Sequence, residues 1–385
     1  MNFKRIIETI KSYDLKTINY RLIIYVLTLS VIGILAISSA TDVKETYYKQ
    51  ILGVGVGFVA MMIFAMIKYD FIARYYWLLY LATIILLVLV LTPAGESHMG
   101  AQRWLSVLGI QMQPSEFAKL FLIIFFSSII TKNRQSLNSW KFVIALIILA
   151  AIPVFLVFKE PDLSSSIVLF VIICAIIFTS ELKGRFIRIL LAVAVPVAGI
   201  LLTLIIILPA DNNIIKEYQY NRLIGFYDED NEDAEKLRYQ QENSVLAIAN
   251  GSLTGKGLKN NSVTSVKNAE YLSEPETDFI FTIIGEELGF VGSCGTIALL
   301  LLIIIACFRM GMRAREGIGR GICIGMGTLI GFQSFVNLGV ATMVLPNTGL
   351  TLPFVSAGLS SLIVLYMSIG IVLNVGIRRK IAFQV

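Results

Sequence analysis

The sequence is short of histidine, cysteine and charge: it has one histidine, four cysteines and 15% charged residues among 385. The single histidine, His98, excludes metal sites built from several histidines and makes a Ser-His-Asp triad unfavourable. All four cysteines lie in or beside apolar runs, so they predict no disulfide framework. We find no P-loop, and no glycine-rich dinucleotide motif follows a strand pattern, so no nucleotide-binding motif is visible.

Long hydrophobic runs are abundant instead, because 56% of the residues are hydrophobic. The chain is too apolar for a soluble protein and too long for one membrane hairpin. We predict an all-α polytopic membrane protein, a single membrane domain over residues 1–385, in which a large extracellular loop at about 209–277 separates helices seven and eight. The ten predicted transmembrane runs lie near 21–41, 50–67, 75–92, 115–131, 142–158, 164–180, 186–208, 278–307, 320–345 and 352–376.

Lysine and arginine are distributed unequally between the two sides of the predicted bundle. With ten spans both termini lie on one side, and that side holds 20 of the 32 Lys and Arg residues. Short connections on the opposite face hold only five, so the positive-inside rule predicts cytoplasmic termini. Of the 26 acidic residues, 21 lie at or near the outer face, where we expect the working surface. With this distribution, the net charge of +6 does not indicate a nucleic-acid partner.

In the stretch 273–289 the longest polar segment of the chain ends and an apolar helix is predicted to begin. It opens with a helix-start pattern, a capping box with proline in the first turn: Ser273, Pro275 and Glu276. This pattern predicts Asp278 in the second helical turn. Glu286 and Glu287 follow two turns deeper, where acids usually mark a site, and the sequence does not tell which of them faces a cavity. An early-turn acid favoured by the helix dipole is the alternative for Asp278.

Two more predicted helix starts near the outer face carry charged residues. Glu116 and Lys119 share a helix face at i and i+3 and can pair; a buried ion pair that only holds helices together is the alternative. Asp162 follows Pro161, where a plain N-cap explains it as well as a functional site does. The outer cations best suited to bind a phosphate are Arg103, Arg222 and Lys256.

Carboxylates beside cations at an outer membrane rim favour a lipid-linked pyrophosphate as the substrate. A carboxylate there can act as a general base for a sugar hydroxyl that attacks an anomeric carbon. The cations would neutralise the departing pyrophosphate. Composition alone leaves the function open between a membrane enzyme and a transporter with an outward polar site.

The polar motifs of the outer loops form a set that is specific in combination. They are Gly100–Leu105, Gln113–Lys119, Pro161–Asp162, Arg222 with Phe226, Tyr239–Gln240, Gly255–Gly257, Glu274, Thr277–Phe281, Gly285–Gly289, Asn337, Leu345–Pro346, Thr348–Gly349 and Leu352–Ser356. Together these segments resemble the SEDS family (shape, elongation, division and sporulation), the group of RodA, FtsW and SpoVE, over nearly the whole chain. The chain departs from the family at Glu160, where glutamine is usual, and at Ser164-Ser165, where Gly-Thr is usual.

The resemblance implies a peptidoglycan glycosyltransferase that polymerises lipid II at the outer face of the cytoplasmic membrane, with a class B penicillin-binding protein as partner. The family's essential acid falls on Asp278, which we expect to deprotonate the acceptor's 4-hydroxyl. The expected pocket and substrate-binding residues are Arg103, Glu116, Lys119, Asp162, Arg222, Lys256, Glu274 and Ser356. Activity in the family is associated with a divalent cation, Mg or Mn, although the sequence shows no dedicated metal site.

The role within the family and two rival functions stay open. The compact chain without long tails and the Pro346-x-Thr348-Gly349 pattern favour a RodA-like role in elongation and cell shape, with division and sporulation members close. A lipid II flippase would need a polar path to the cytoplasmic side, and the outward placement of the acids argues against one. A structural anchor that only recruits a penicillin-binding protein would tolerate substitution of the outer acids.

Overall fold

The structure, a computed structural model, describes residues 18–41, 43–98, 101–107, 109–186, 188–189, 192, 226, 232–259 and 274–378. Its main helices are α1 (Tyr20–Ala40), α2 (Lys44–Met66), α3 (Tyr69–Arg74), α4 (Tyr76–Val90), α5 (Pro114–Lys132), α6 (Trp140–Lys159), α7 (Leu163–Phe178), α8 (Glu232–Asn250), α9 (Ile280–Met312), α10 (Gly317–Ala341) and α11 (Leu359–Arg378). Its strands are β1 (Gly95–His98), β2 (Ala101–Val107) and β3 (Ile110–Met112).

Within the described ranges, seven helices are long and apolar enough to cross a membrane: α1, α2, α5, α6, α9, α10 and α11. Helices α4 and α7 are apolar but shorter. These helices coincide with nine of the ten predicted runs, and the predicted helical, polytopic membrane protein is confirmed. The remaining run, 186–208, lies almost wholly outside the described residues.

Helix α5 lies at the centre of the bundle. Its Lys119, Phe125 and Phe126 are fully buried, and the helix packs against α4, α7 and α10. Helix α6 lies at the periphery and turns Ile144 and Phe155 outward. An exposed apolar face of this kind matches lipid tails, because the bilayer is itself an apolar solvent.

Small residues bring some helices into close contact, as is usual where lipid supplies no hydrophobic drive for helix association. Between α2 and α11, a Cβ on Gly370 would collide with the backbone of Met61. Tyr366 of α11 also bonds Ser30 of α1, at 2.8 Å between the two hydroxyl oxygens. On the same helix α1, Gly33 lies against the backbone of Val355.

A three-stranded antiparallel sheet in the order β1-β2-β3 fills the connection between α4 and α5. Leu105 of β2 pairs with Met112 of β3, and Gly109 has a φ of 79° in the turn between them. The sheet is an addition to the predicted fold, because three such short strands leave too little alternation for the sequence to reveal them. Its importance for the site is that β2 carries Arg103.

Three predicted boundaries need correction, and the long loop needs an added helix. Helix α9 begins at Ile280 with Phe279 as its N-cap, so Asp278 precedes the helix and does not lie in its second turn; Ser273 is outside the described residues. Helix α10 ends at Ala341, and α11 begins only at Leu359. Residues 342–358, which we call the bridging segment, are irregular because Pro346, Pro353 and Gly358 interrupt the apolar pattern. Finally, the long loop contains helix α8.

Candidate functional site

The connection between α6 and α7, residues 160–162, is held by hydrogen bonds from two sides. Asp162 is the N-cap of α7, since its Oδ1 accepts from the backbone N–H of Ser165 at 3.0 Å. Arg103 reaches the connection from β2. Its Nε donates to the Glu160 carbonyl at 3.4 Å and its Nη2 donates to the Pro161 carbonyl. Its Nη1 lies 3.9 Å from Asp162 Oδ1, so Asp162 serves both as a cap and as an ion-pair partner.

Helix α5 begins beside this connection with the predicted ion pair. Lys119 Nζ lies 2.7 Å from Glu116 Oε1, and the Lys119 side chain is 0% exposed. Gln113, the residue before α5, donates from Nε2 to Asp162 Oδ2 at 3.4 Å. Burying a charge is costly unless an opposite charge is paired with it. The Lys119 and Glu116 side chains therefore form one ion pair of no net charge at the start of α5. The predicted pairing is confirmed.

Glu160 differs from its charged neighbours because its carboxyl group is buried without a partner. The side chain is 0% exposed, and neither carboxyl oxygen has a hydrogen-bond partner in the part of the chain that the structure describes. The pKa of Glu160 is raised to about 9, chiefly by burial and also by the negative charge of Asp162, while Arg103 acts to lower it. A carboxyl group with this pKa is protonated at neutral pH and can donate a hydrogen bond.

The bridging segment joins this first group of residues to a second group around Asp278. At one end, Ser164 of α7 donates from its hydroxyl to the carbonyl of Thr348 at 2.6 Å. Near its other end, Ser356 donates from its hydroxyl to the carbonyl of Thr277 at 2.6 Å. The segment thus fixes the two groups of candidate site residues relative to each other.

Asp278 lies in the turn 274–279 immediately before α9, and its side chain is half-buried. Asn337 of α10 donates from Nδ2 to the Asp278 carbonyl at 2.9 Å and to the Leu350 carbonyl at 2.7 Å. Glu274 in the same turn is exposed and accepts from the Thr277 hydroxyl at 3.2 Å. The backbone of Asp278 is therefore held at the N-terminal end of a long helix, where the helix dipole favours a carboxylate.

Lys256 lies in a different environment, at a break in helix α9. Its Nζ is 2.8 Å from Glu286 Oε1, and Glu286 is 1% exposed. Glu287 is 3% exposed and accepts from the Ser39 hydroxyl of α1. The structure therefore buries both acids of this pair of neighbours, and each has a partner. Gly289 marks the break, with φ 67° and ψ −163°.

The turn 251–259, which we call the docking turn, replaces the backbone hydrogen bonds that the break removes. Residues 286 and 287 would accept from the N–H groups of 290 and 291 in an unbroken helix. Instead their carbonyls accept from the backbone N–H groups of Lys256 and Gly257, at 3.0 Å each. The N–H groups of Phe290 and Val291 donate to the carbonyls of Ser252 and Leu253, at 2.9 and 3.1 Å. The glycines of the turn allow its close approach to helix α9, since a Cβ on Gly251 or Gly255 would collide with the backbone of that helix.

The predicted site residues thus fall into three places. Arg103, Glu116, Lys119 and Asp162 lie around the α6–α7 connection; Glu274, Asp278 and Ser356 lie around the turn before α9; and Lys256 lies at the α9 break. Arg222 is outside the described residues. Sequence reasoning gave no role to Gln113 or Glu160. A sequence signal for Glu160 was available: it is an acid beside a proline, in a very short connection that was predicted to be extracellular.

The described residues provide no protein-built metal site, because no group of three or more His, Cys, Asp or Glu side chains in that part of the chain converges. The paired acids each have a cation or hydroxyl as neighbour, as Glu116 has Lys119 and Glu286 has Lys256. The donor set of the described residues therefore does not fit a resident divalent cation.

Comparison with known proteins places the whole chain in one family. The FtsW/RodA/SpoVE family model, described as "Cell cycle protein", matches residues 17–381. A protein of Geobacter metallireducens named "Probable peptidoglycan glycosyltransferase FtsW" is 30% identical over 391 residues, which cover 99% of each chain. A Haemophilus influenzae protein of the same name is 37% identical over 308 residues, 79% of this chain and 74% of that one.

Solved structures share the fold. A chain from the work "Structural coordination of polymerization and crosslinking by a peptidoglycan synthase complex" has a TM-score of 0.75 and 26% identity, covering 96% of this chain and 99% of that one. The crystal structure of the Thermus thermophilus rod shape determining protein RodA has a TM-score of 0.68 and 25% identity, covering 96% and 98%. Because the family model matches residues 17–381, nearly the whole of the sequence, this chain belongs to the SEDS family of FtsW, RodA and SpoVE.

Proposed function

We propose that the chain is a peptidoglycan glycosyltransferase that polymerises lipid II into glycan strands. The observation that carries the proposal is the bridging segment, whose hydrogen bonds hold the turn of Asp278 and the α6–α7 connection in one frame. A half-buried acid held in one frame with a connection that carries a cation and hydrogen-bond donors suits glycosyl transfer from a lipid-linked pyrophosphate. The names of the relatives support the same reaction class.

Asp278 is the general base in this proposal. Its carboxylate takes the proton from the acceptor's 4-hydroxyl while that oxygen forms a bond to the anomeric carbon of the donor sugar. The bond between the anomeric carbon and the pyrophosphate oxygen breaks, and the lipid pyrophosphate leaves with the electron pair. The hydrogen bonds to the carbonyls of Thr277 and Asp278 fix the backbone on both sides of the base, so little reorganisation is needed.

The pyrophosphate belongs on the side of the α6–α7 connection. Arg103 is 18% exposed at its side chain, and Asp162 orients it. Lys119 is fully buried against Glu116, so in this proposal it shapes the pocket and does not contact the pyrophosphate. Lys256 and Arg222 are the further proposed phosphate cations of the long loop; Lys256 would have to leave Glu286 to act in this way. Ser356 and Glu274 position the turn of Asp278.

The orientation, partner and cellular role are further parts of the proposal. The distribution of lysine and arginine supports cytoplasmic termini and an extracellular site. A class B penicillin-binding protein is the proposed partner, in keeping with the synthase complex to which the fold is similar. We assign the chain to elongation because of the Pro346-x-Thr348-Gly349 pattern; a fluorescent fusion that gathers only at the division septum would move the assignment to division.

The test is polymerisation of fluorescent lipid II by the chain co-purified with a class B penicillin-binding protein whose transpeptidase is blocked. Wild type is expected to give a ladder of glycan strands on a gel. Asp278→Asn and Asp278→Ala should lower the rate by about 100-fold or more, because a positioned base contributes 10²–10⁴-fold.

Glu45→Gln is the matched control for this test, because Glu45 is an exposed acid bound only to Lys49 at an end of α2. It should retain the wild-type ladder. A full ladder from Asp278→Asn would remove Asp278 from the mechanism. No ladder from an intact wild-type complex, together with transport of labelled lipid II in liposomes, would replace the polymerase with a flippase.

A further inference from the structure

Glu160 is placed with little freedom at the α6–α7 connection. Its backbone N–H donates to the carbonyls of Leu156 and Val157, at 3.2 and 3.1 Å, and closes the end of α6. Its own carbonyl accepts from Arg103. The backbone of Glu160 is therefore fixed, while both of its carboxyl oxygens lie buried without a partner among the described residues. An unsatisfied buried polar group is costly, and a bound ligand that pairs with it recovers that cost.

On balance the charges around Glu160 oppose its ionisation, because Asp162 raises its pKa more than Arg103 lowers it. Asp162 lies two residues away on the same connection, and Arg103 on β2 is already bound to that carboxylate and to two carbonyls. On α5 the nearby charges, Glu116 and Lys119, neutralise each other. Lys159 turns back over the ring of Phe155 in its own helix. The bridging segment carries no charged residue.

Two more hydroxyl groups that have no partner among the described residues lie on segments bonded to the connection or to the start of α7. Ser115 Oγ lies at the start of α5, two residues from the Gln113 that bonds Asp162. Thr348 Oγ1 lies on the bridging segment, in the residue whose carbonyl binds Ser164. Neutral O–H donors from three elements suit an anion that only accepts hydrogen bonds, and a phosphate is such an anion.

We propose that Glu160 is held as a neutral carboxylic acid and donates a hydrogen bond to a phosphate oxygen of the lipid-linked pyrophosphate. The inference rests on the proposed function for the identity of the ligand. It assigns to this chain a binding group that takes the place of the family's usual glutamine, since a protonated carboxyl and an amide both donate to an anion. Burial, which keeps the pKa of Glu160 at about 9, is consistent with it.

Infrared difference spectroscopy tests the protonation state without any need for activity. The wild-type complex at neutral pH should show the carbonyl band of a protonated carboxyl group, and Glu160→Gln should lack that band. Lipid II should shift the band, whereas inorganic pyrophosphate at the same concentration should not. A spectrum without a band that depends on Glu160, or a shift produced by inorganic pyrophosphate but not by lipid II, would overturn the proposal.

The pH dependence of KM for lipid II tests the role in binding. Wild-type KM should rise above about pH 9, because the ionised Glu160 no longer donates and repels the phosphate. Glu160→Gln should keep a near-neutral KM within about threefold and lose the alkaline rise. Near neutral pH, Glu160→Met, which keeps the length but has no donor, should raise KM by about 10-fold or more with kcat less affected, and it should lack the alkaline rise.

Glu181→Gln provides the matched control, because Glu181 is an exposed acid that binds Arg134. It should retain the wild-type pH profile. An unchanged KM in Glu160→Met, or an alkaline rise that persists in Glu160→Gln, contradicts the binding role. If wild type forms no glycan at all, the polymerase proposal fails, and the infrared band with its response to lipid II still decides the case of Glu160.

Discussion

Among single residues, Lys119 shows most clearly how burial and charge are combined near the site. Its ammonium group is entirely enclosed, and the carboxylate of Glu116 lies 2.7 Å away. Breaking a buried ion pair by removing one partner typically costs 3–5 kcal/mol, because the remaining charge is left uncompensated. Removing both charges avoids that cost.

Lys119→Met should therefore destabilise the protein by about 3–5 kcal/mol. The double variant Lys119→Met/Glu116→Gln should recover most of the loss. The measurement is the thermal unfolding midpoint of each purified variant in the same detergent. Lys49→Met, which removes one partner of the exposed pair with Glu45, should shift the midpoint far less. Equal midpoints for the single and double buried variants would show that Glu116 is not charged when alone.

At this scale the sequence predicted pairs that are local in the chain. The i, i+3 spacing was enough for Glu116 and Lys119, and the proline before Asp162 was enough for an N-cap. It could not predict that Arg103 would bind the α6–α7 connection, because the two are joined only by the folding of the sheet. The pairing of Lys256 with Glu286 was missed for the same reason, as 30 residues separate them.

Among the elements, α9 and the docking turn depend on each other. The dihedral angles of Gly289 belong to a region that is essentially restricted to glycine. A Cβ on Gly289 would also collide with the backbone nitrogen of Gly255. The break therefore needs glycine twice, once for its own conformation and once for the approach of the turn.

Gly289→Ala should destabilise the protein by about 1–3 kcal/mol or more and reduce polymerisation. Gly295→Ala is the control on the same helix, because a Cβ there meets no atom within 4 Å. That variant should be neutral or slightly stabilising, as alanine is favoured over glycine within a helix. Unfolding midpoints and glycan ladders measured side by side decide the matter: equal behaviour of the two variants would mean that the break is not required.

The sequence located most elements well and their ends less well. Hydropathy found α10 and α11, but it extended the first beyond Ala341 and began the second before Leu359, because the bridging segment is itself apolar. The capping-box pattern set the start of α9 too early. In the structure the contact of the Ala357 N–H with the Glu276 carbonyl, at 2.8 Å, holds that stretch as a turn. Tertiary contacts of this kind leave no local signal.

At the scale of the whole molecule, the proposed orientation makes a prediction about access from the two aqueous sides. Ser106→Cys places a thiol on the exposed face of β2, and Gln135→Cys places one in the exposed connection after α5. In a background without the four native cysteines, a membrane-impermeant thiol reagent added to intact cells should label the first and not the second. Both should be labelled after the membrane is opened, and labelling in the reverse order would invert the topology.

The break in α9 also has a consequence for biogenesis. A membrane helix must satisfy its backbone groups internally, yet four of those in α9 are satisfied by the docking turn. The docking turn precedes α9 in the chain, so it is synthesised first, and in the proposed orientation it must be exported before its partner helix is inserted. Insertion of α9 is then a templated step, in which the incoming helix forms hydrogen bonds to a loop that has already been exported. Helix α8, which directly precedes the docking turn, positions that loop.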